Sequence, residues 1–193
     1  ISQAKNFIGF ENYLQIFQEE RFYNSLGFTL AFVLFNTIAQ NIFALLFALL
    51  LDTGIRGRNF YKTIVYAPCL LSPILIGYLW NKMFTKIYPG IFEVFSIDMN
   101  IQLLTDPNLV LWGLLIMNNW QWIGYWMLIY IAALQAVPLE LYEASYIEGA
   151  NVVQQFYKVT LPMIMPAVTI CVVSITLGGF QVYELIVTAT GGG

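Results

Sequence analysis

Asn118, Asn119, Trp120, Gln121, Trp122 and Tyr125 fall near the middle of a 33-residue run that carries no charge. Carboxamides both donate to and accept from hydroxyls, and indoles stack on the apolar face of a sugar ring. These residue types at this spacing therefore suit a small polyhydroxylated molecule. Interfacial aromatic belts explain Trp112 and Tyr130 nearer the ends of the run, but not a cluster at its middle. Hydrogen bonding between helices competes as a reading and accounts for about half of the cluster equally well. Glu184 is the one ionisable residue well inside a second long uncharged stretch, with Gln181 one helical turn before it and Thr188 one turn after. An acid within hydrocarbon is costly, which makes it a candidate functional group; it lies only six residues from Thr190, close to where a span would surface. Asn118, Asn119, Gln121, Trp122, Tyr125, Gln181 and Glu184 are the candidate residues for contact with a solute.

Other chemistries have little to draw on. The chain has no His, and Cys69 and Cys171 both sit in apolar stretches, where they read as small hydrophobes. No zinc or haem site and no disulfide framework is expected, so the metal and cofactor expectation is none. No Lys follows a Gly, so the phosphate-binding pattern Gly-x4-Gly-Lys-Ser/Thr is absent and no ATP hydrolysis is expected of this chain. Eight basic residues against eleven acidic ones leave no electrostatic footprint for nucleic acid.

The elements that must hold these residues are read from charge-free windows. Hydrophobic residues make up 59% of 193 and charged residues 10%, against about 45–50% and about 25% in soluble domains. Uncharged windows of 30, 19, 33 and 25 residues follow Arg21, Lys62, Asp106 and Lys158. A helix needs roughly 20 mostly apolar residues to cross a bilayer. The expectation is an all-α polytopic membrane bundle with four spans, at about 25–51, 63–80, 109–134 and 163–190. Thr29, Asn36, Thr37, Gln40 and Asn41 share one broad face of the first span and read as helix–helix glue, worth ~0.6–2 kcal/mol per contact.

Arg56, Arg58 and Lys62 crowd the short connection after the first span, which the positive-inside rule places in the cytoplasm. Residues 1–24 then form an extracytoplasmic segment, where Phe7, Phe10, Tyr13 and Phe17 suit an interfacial helix. By parity the 135–162 connection is cytoplasmic too. There Pro138 and Glu140 make a helix start, since proline lacks an amide that would be orphaned and an acid suits the positive helix end. Gly149 supplies a left-handed stop and Asn151 a cap for a second helix ending at Leu161-Pro162. Val152, Val153, Phe156 and Val159 give that second helix an apolar stripe. A helix lying on a membrane favours Lys and Arg on its polar face, whereas this bracket carries Glu140, Glu143 and Glu148. It fits protein docking better.

The bracket also carries a resemblance. Glu143-Ala144-Ser145-Tyr146-Ile147-Glu148-Gly149-Ala150 followed by Val159-Thr160-Leu161-Pro162 resembles the cytoplasmic signature of ABC importer permeases, Glu-Ala-Ala, two residues, Asp-Gly-Ala, eight residues, Ile-x-Leu-Pro. The departures are Ser145 for Ala, Glu148 for Asp and Val159 for Ile, each small in volume or conserving charge. Phe7-Ile8-Gly9-Phe10-Glu11-Asn12-Tyr13, Arg56-Gly57-Arg58-Asn59-Phe60, Trp122-Ile123-Gly124-Tyr125, Phe180-Gln181-Val182-Tyr183-Glu184 and Thr190-Gly191-Gly192-Gly193 look like the carbohydrate-uptake branch. The resemblance covers essentially the whole chain.

Such permeases have six or more spans, which implies one before Ile1 and one after Gly193. The resemblance further implies a second homologous permease subunit, two cytoplasmic ATPase subunits that bind the ATP and Mg, and an extracytoplasmic solute-binding protein. The bracket becomes the coupling element, with Glu143, Ala144, Ser145, Glu148, Gly149 and Ala150 at the ATPase contact. The location implied is the prokaryotic plasma membrane, the inner one in a Gram-negative cell. The expected function is a non-enzymatic permease subunit importing a sugar or sugar-like solute. The runner-up, a secondary transporter, would place coupling carboxylates or broken helices at the midplane, often in repeated halves; Glu184 alone is thin support, and no repeat is evident. No pore-lining filter element for a channel is evident.

Overall fold

The computed structural model describes residues 10–90 and 103–191, with side chains from Leu14 onward in the first helix. Phe7, the Tyr13 side chain and the terminal Gly192-Gly193 lie outside the described residues, as does most of the connection before the third expected span. The chain is an all-helical membrane bundle. A short α1 (Glu11–Ile16) precedes α2 (Glu20–Asp52), a single helix of 33 residues. At ~1.5 Å per residue α2 is long enough for a hydrocarbon layer with turns to spare. After it, Gly57 adopts φ 80°, a left-handed turn that glycine makes without steric cost.

The second expected span is not one straight helix. It consists of α3 (Arg58–Tyr66), extended by a tight turn over Ala67–Leu70, and α4 (Pro73–Lys82), which widens into a π turn over Met83–Ile87. The two arms meet at 99°. Pro68 and Pro73 bracket the corner: neither can donate, and Pro73 begins α4 at the position where its missing amide costs nothing.

Helix α5 (Val110–Gln135) follows, then α6 (Leu139–Ile147), bent from it by 66°. Next come α7 (Val152–Gln155), a π turn over Phe156–Thr160, α8 (Leu161–Phe180) and α9 (Glu184–Thr190). Among the described residues, Glu20–Asp52 and Val152–Phe180 are each long and apolar enough to cross a membrane, and the two bent pairs bring the candidates to as many as four. The polar residues at 118–121 lower the mean hydropathy of α5, which is why it qualifies only with its bent continuation.

The second bracket helix does not end at Leu161-Pro162. Backbone continuity runs from Val152 to Phe180 because the π turn absorbs the proline: the Leu161 amide donates to the Phe156 carbonyl five residues back. A proline clashes with the carbonyl four residues earlier in a regular helix, and the wider turn relieves that clash. The fourth expected span instead stops early, at Phe180. Gln181–Tyr183 form a break in which the Gln181 amide donates to Gly178 O and the Tyr183 amide to Gln181 O.

Between helices there is little hydrophobic driving force in lipid, so packing and hydrogen bonds must hold them. Two apolar clusters form. One gathers Phe32 and Val33 of α2, Ile76 of α4, Leu114, Leu115 and Met117 of α5, and Leu185 and Ala189 of α9. The other gathers Ala44, Ala48 and Leu51 of α2, Met127, Tyr130, Ile131 and Leu134 of α5, and Ile164, Cys171 and Ile175 of α8. Close approaches occur at three described glycines: a Cβ on Gly124 would meet the Val65 carbonyl, one on Gly113 the Leu103 carbonyl, and one on Gly77 Thr188 Oγ1. Asn81 Nδ2 donates to Ala189 O at 2.7 Å, fastening α9 to α4.

Candidate functional site

Along α2 the two apolar clusters are separated by Asn36 and Gln40, and along α5 by Asn118, Asn119 and Gln121. All five amides are buried. They form a polar layer across the bundle, and each has a partner. Gln40 Nε2 donates to Asn118 Oδ1 at 2.9 Å and to Asn118 O at 3.3 Å. Asn119 Nδ2 donates to Asn36 Oδ1 at 3.2 Å and Leu115 O at 2.8 Å. Gln121 Nε2 donates to Leu71 O at 3.1 Å, closing a carbonyl freed by the corner between α3 and α4.

A cavity of about 460 Å³ opens onto this layer. Its walls are Asn36 and Gln40 from α2, Asn118, Gln121, Trp122 and Trp126 from α5, Ser174 and Gly178 from α8, and the break at Gln181–Tyr183 leading to Glu184. Irregular backbone at this depth is tolerated where it lines a cavity. The interhelical bonds leave Gln40 Oε1, Asn36 Nδ2 and Asn118 Nδ2 without a protein partner among the described residues. Gln121 Oε1 is buried and also unpartnered. The wall thus offers donors and acceptors together with two half-buried indoles.

The structure brings Asn118, Gln121, Trp122, Gln181 and Glu184 to this one cavity. It does not bring Asn119, whose Nδ2 bonds Asn36 and its own helix while its Oδ1 is buried without a partner among the described residues, nor Tyr125, whose ring lies 41% exposed against Trp122 and Trp126 at centroid distances of 6.2 and 4.9 Å. Gln181 and Glu184 are not neighbours on one helical turn: Gln181 lies in the break and Glu184 opens α9. Asn36 and Gln40 serve both as glue and as wall. Trp126 was missed, though Asn118, Trp122 and Trp126 recur at four-residue spacing, which places them on one helical face while Tyr125 is out of phase. Ser174 had no sequence signal, and Tyr183 only its place in the Phe180–Glu184 segment that carries the family resemblance.

The bracket is built as a rigid corner. Helix α6 follows Pro138 with Glu140 in its first turn. It closes at Gly149, φ 79°, where the Gly149 amide donates to Tyr146 O and the Ala150 amide to Ser145 O at 3.0 Å. Asn151 then makes a complete capping box: its Oδ1 accepts from Gln154 N at 2.9 Å while its own amide donates to Gln154 Oε1 at 3.0 Å. Tyr142 Oη shares a hydrogen bond of 3.0 Å with Thr160 Oγ1, tying α6 back to the π turn. Glu143, Ala144, Glu148 and Gly149 are exposed and Ala150 is half-buried. Ser145 is turned inward, donating to Tyr142 O at 2.8 Å. Tyr146, Ile147 and Val152 are 77%, 84% and 80% exposed.

Comparison with known proteins places this geometry. Residues 40–193 match the family model described as binding-protein-dependent transport system inner membrane component. The chain is 35% identical over 186 residues to the probable starch degradation products transport system permease protein AmyD of Thermoanaerobacterium thermosulfurigenes, covering 96% of this chain and 64% of that one. It is 30% identical over 192 residues to the trehalose/maltose transport system permease protein MalF of Thermococcus litoralis, covering 98% and 65%. It is 29% identical over 194 residues to the sn-glycerol-3-phosphate transport system permease protein UgpA of Escherichia coli O157:H7, covering 98% and 65%. The chain thus spans a little under two thirds of the length of these curated relatives. Among solved structures, it superposes on a bacterial ABC transporter involved in the import of the acidic polysaccharide alginate, with TM-score 0.82 and 24% identity, over 97% of this chain and 70% of that one. At that identity the likeness shows the helical fold.

Proposed function

The chain belongs to the family of binding-protein-dependent transport system inner membrane components, and we propose that the whole protein is the membrane permease subunit of an ATP-driven importer of a sugar or sugar-like solute. The observation that carries this reading is the bracket's connection to the cavity. Helix α6 leads directly from α5, which carries Asn118, Trp122 and Trp126, and α7 runs without a backbone break into α8, which carries Ser174 and Gly178. A displacement of the bracket is therefore transmitted along two helices that together wall the cavity. ATP and Mg belong to partner ATPase subunits, and this chain supplies the lever and part of the solute path.

The docking contact is assigned to Glu143, Ala144, Glu148, Gly149 and Ala150, together with the exposed Tyr146, Ile147 and Val152. Ser145 acts from behind as a support. The expected assembly is this permease, a second homologous one, two ATPases, and a solute-binding protein outside the plasma membrane of a prokaryote. Names of relatives support the solute class: starch degradation products, trehalose and maltose on one side, sn-glycerol 3-phosphate on the other. The amide and indole wall suits hydroxyl-rich solutes.

The test is uptake by the full-length assembly with its binding protein in proteoliposomes, using labelled maltose, trehalose and glycerol 3-phosphate. ATP-dependent accumulation of at least one is expected. Accumulation driven by an ion gradient without ATP would instead establish secondary transport.

A further inference from the structure

The electrostatics of the cavity carry the proposal further. Among the described residues none of the lining is Lys or Arg, and its single charged group is Glu184, exposed where α9 begins. Sites that take phosphates or carboxylates present cationic forks or convergent N–H groups. Here the unspent atoms of the polar layer are amide donors mixed with amide acceptors, and the buried Gln121 Oε1 is an acceptor without a partner. An unpaired buried acceptor favours an incoming hydroxyl and repels an anion. The half-buried indoles of Trp122 and Trp126 add stacking faces that need no charge on the solute.

Resting on the reading of this cavity as the solute path, we infer that it is a charge filter: it admits uncharged polyhydroxylated solutes and turns away their phosphorylated or uronic counterparts, with Glu184 as the discriminating residue. The carboxylate acts by position. It stands beside the break at Gln181–Tyr183, so an anionic solute entering the amide layer from that end must approach it. No cation among the lining residues offsets that approach. Because one relative of this chain is named for an anionic solute, this selectivity is assigned to this chain's cavity and not to the fold.

The experiment measures tryptophan fluorescence of the full-length permease complex, purified without binding protein. It is titrated with two matched pairs, methyl α-glucoside against methyl α-glucuronoside, and maltose against maltobionate. The neutral member of a pair is expected to bind at least about tenfold more tightly, the scale of one like-charge encounter in a partly desolvated site. Glu184→Gln should narrow that ratio to within about threefold, and Glu184→Lys should bring it to one or below. Loss of the signal in Trp122→Phe or Trp126→Phe assigns the signal to the cavity. Equal affinity for both members in the natural complex, or an unchanged ratio in Glu184→Gln, overturns the filter while leaving the permease reading intact. Absence of saturable binding by either neutral sugar, joined to failed ATP-dependent uptake, overturns both.

Discussion

The polar layer and the bracket solve opposite problems. In the layer, polar side chains sit in an apolar surrounding and are bonded to one another across helices: Gln40 to Asn118, Asn119 to Asn36, and Gln121 to the corner at Leu71. In the bracket, apolar side chains sit where water would reach them, with Ile147 84% exposed and Val152 80% exposed, although the corner beneath is closed by the Gly149 turn and the Asn151 capping box. A layer that completes itself is preorganised for a small ligand that slips between its remaining donors and acceptors. A stiff corner holding bare apolar groups is preorganised for a protein groove that will cover them. The two are joined by α5 and α8, so the same helices connect the proposed solute cavity to the proposed docking face.

Substitutions can sharpen or break this contrast. The largest effect is expected at Gly124, where any side chain meets the Val65 carbonyl and the Tyr66 backbone. Gly124→Val should cost ~3 kcal/mol or more, since backbone cannot yield as a side-chain tip can. It should separate α3 from α5 and abolish folded full-length protein, read as the monodisperse fraction after solubilisation. Next comes Ile147→Asp, which should weaken ATPase capture by the assembled permease pair by about 2 kcal/mol, close to thirtyfold. Its thermal midpoint should stay nearly unchanged, because this side chain is 84% exposed. A lowered midpoint would show that Ile147 belongs to the fold and not to a docking face.

Asn151→Ala removes the side-chain acceptor of the capping box, leaving the Gln154 amide without Asn151 Oδ1 while the residue 151 amide can still donate to Gln154 Oε1, and should destabilise the bracket by ~1 kcal/mol. Hydrogen exchange at residues 151–155 should rise while exchange along α5 stays constant. The smallest effect is expected from Gln40→Leu, at ~0.6 kcal/mol in thermal stability. Its solute affinity should nonetheless fall, and its ATPase capture should not. Equal losses in both would erase the distinction between the two regions.

Much of the bracket was legible because its signals are local. A proline start, an acid in the first turn, a left-handed glycine and an asparagine cap each act within a few residues, and the structure realises each at Pro138, Glu140, Gly149 and Asn151. The cavity was only half legible because the same amide serves equally well as glue or as wall. Asn36 and Asn119 bond each other, yet only Asn36 reaches the cavity, and no local pattern separates them. Helical phase did carry information, and following it would have chosen Trp126 over Tyr125. The breaks were hidden for a different reason. A helix passes through Pro162 by widening into a π turn, while helix α8 stops at Phe180 with no proline at the break. Both outcomes depend on neighbours: α8 must meet the bracket at one end and leave room for α9 against α4 at the other.

The central claim is that the bracket converts ATP hydrolysis into movement of the cavity walls. It is tested most directly by the ratio of solute imported to ATP hydrolysed in proteoliposomes holding the full assembly, with Gly149→Val compared with the natural chain. Gly149 has φ 79° and open space around it, so a β-branched residue there strains the corner without a clash. The account predicts an assembled complex in which ATP hydrolysis no longer responds to loaded binding protein and the import ratio falls at least about tenfold, the span of a 1.4 kcal/mol loss in coupling. An unchanged ratio in a fully assembled Gly149→Val complex would contradict it.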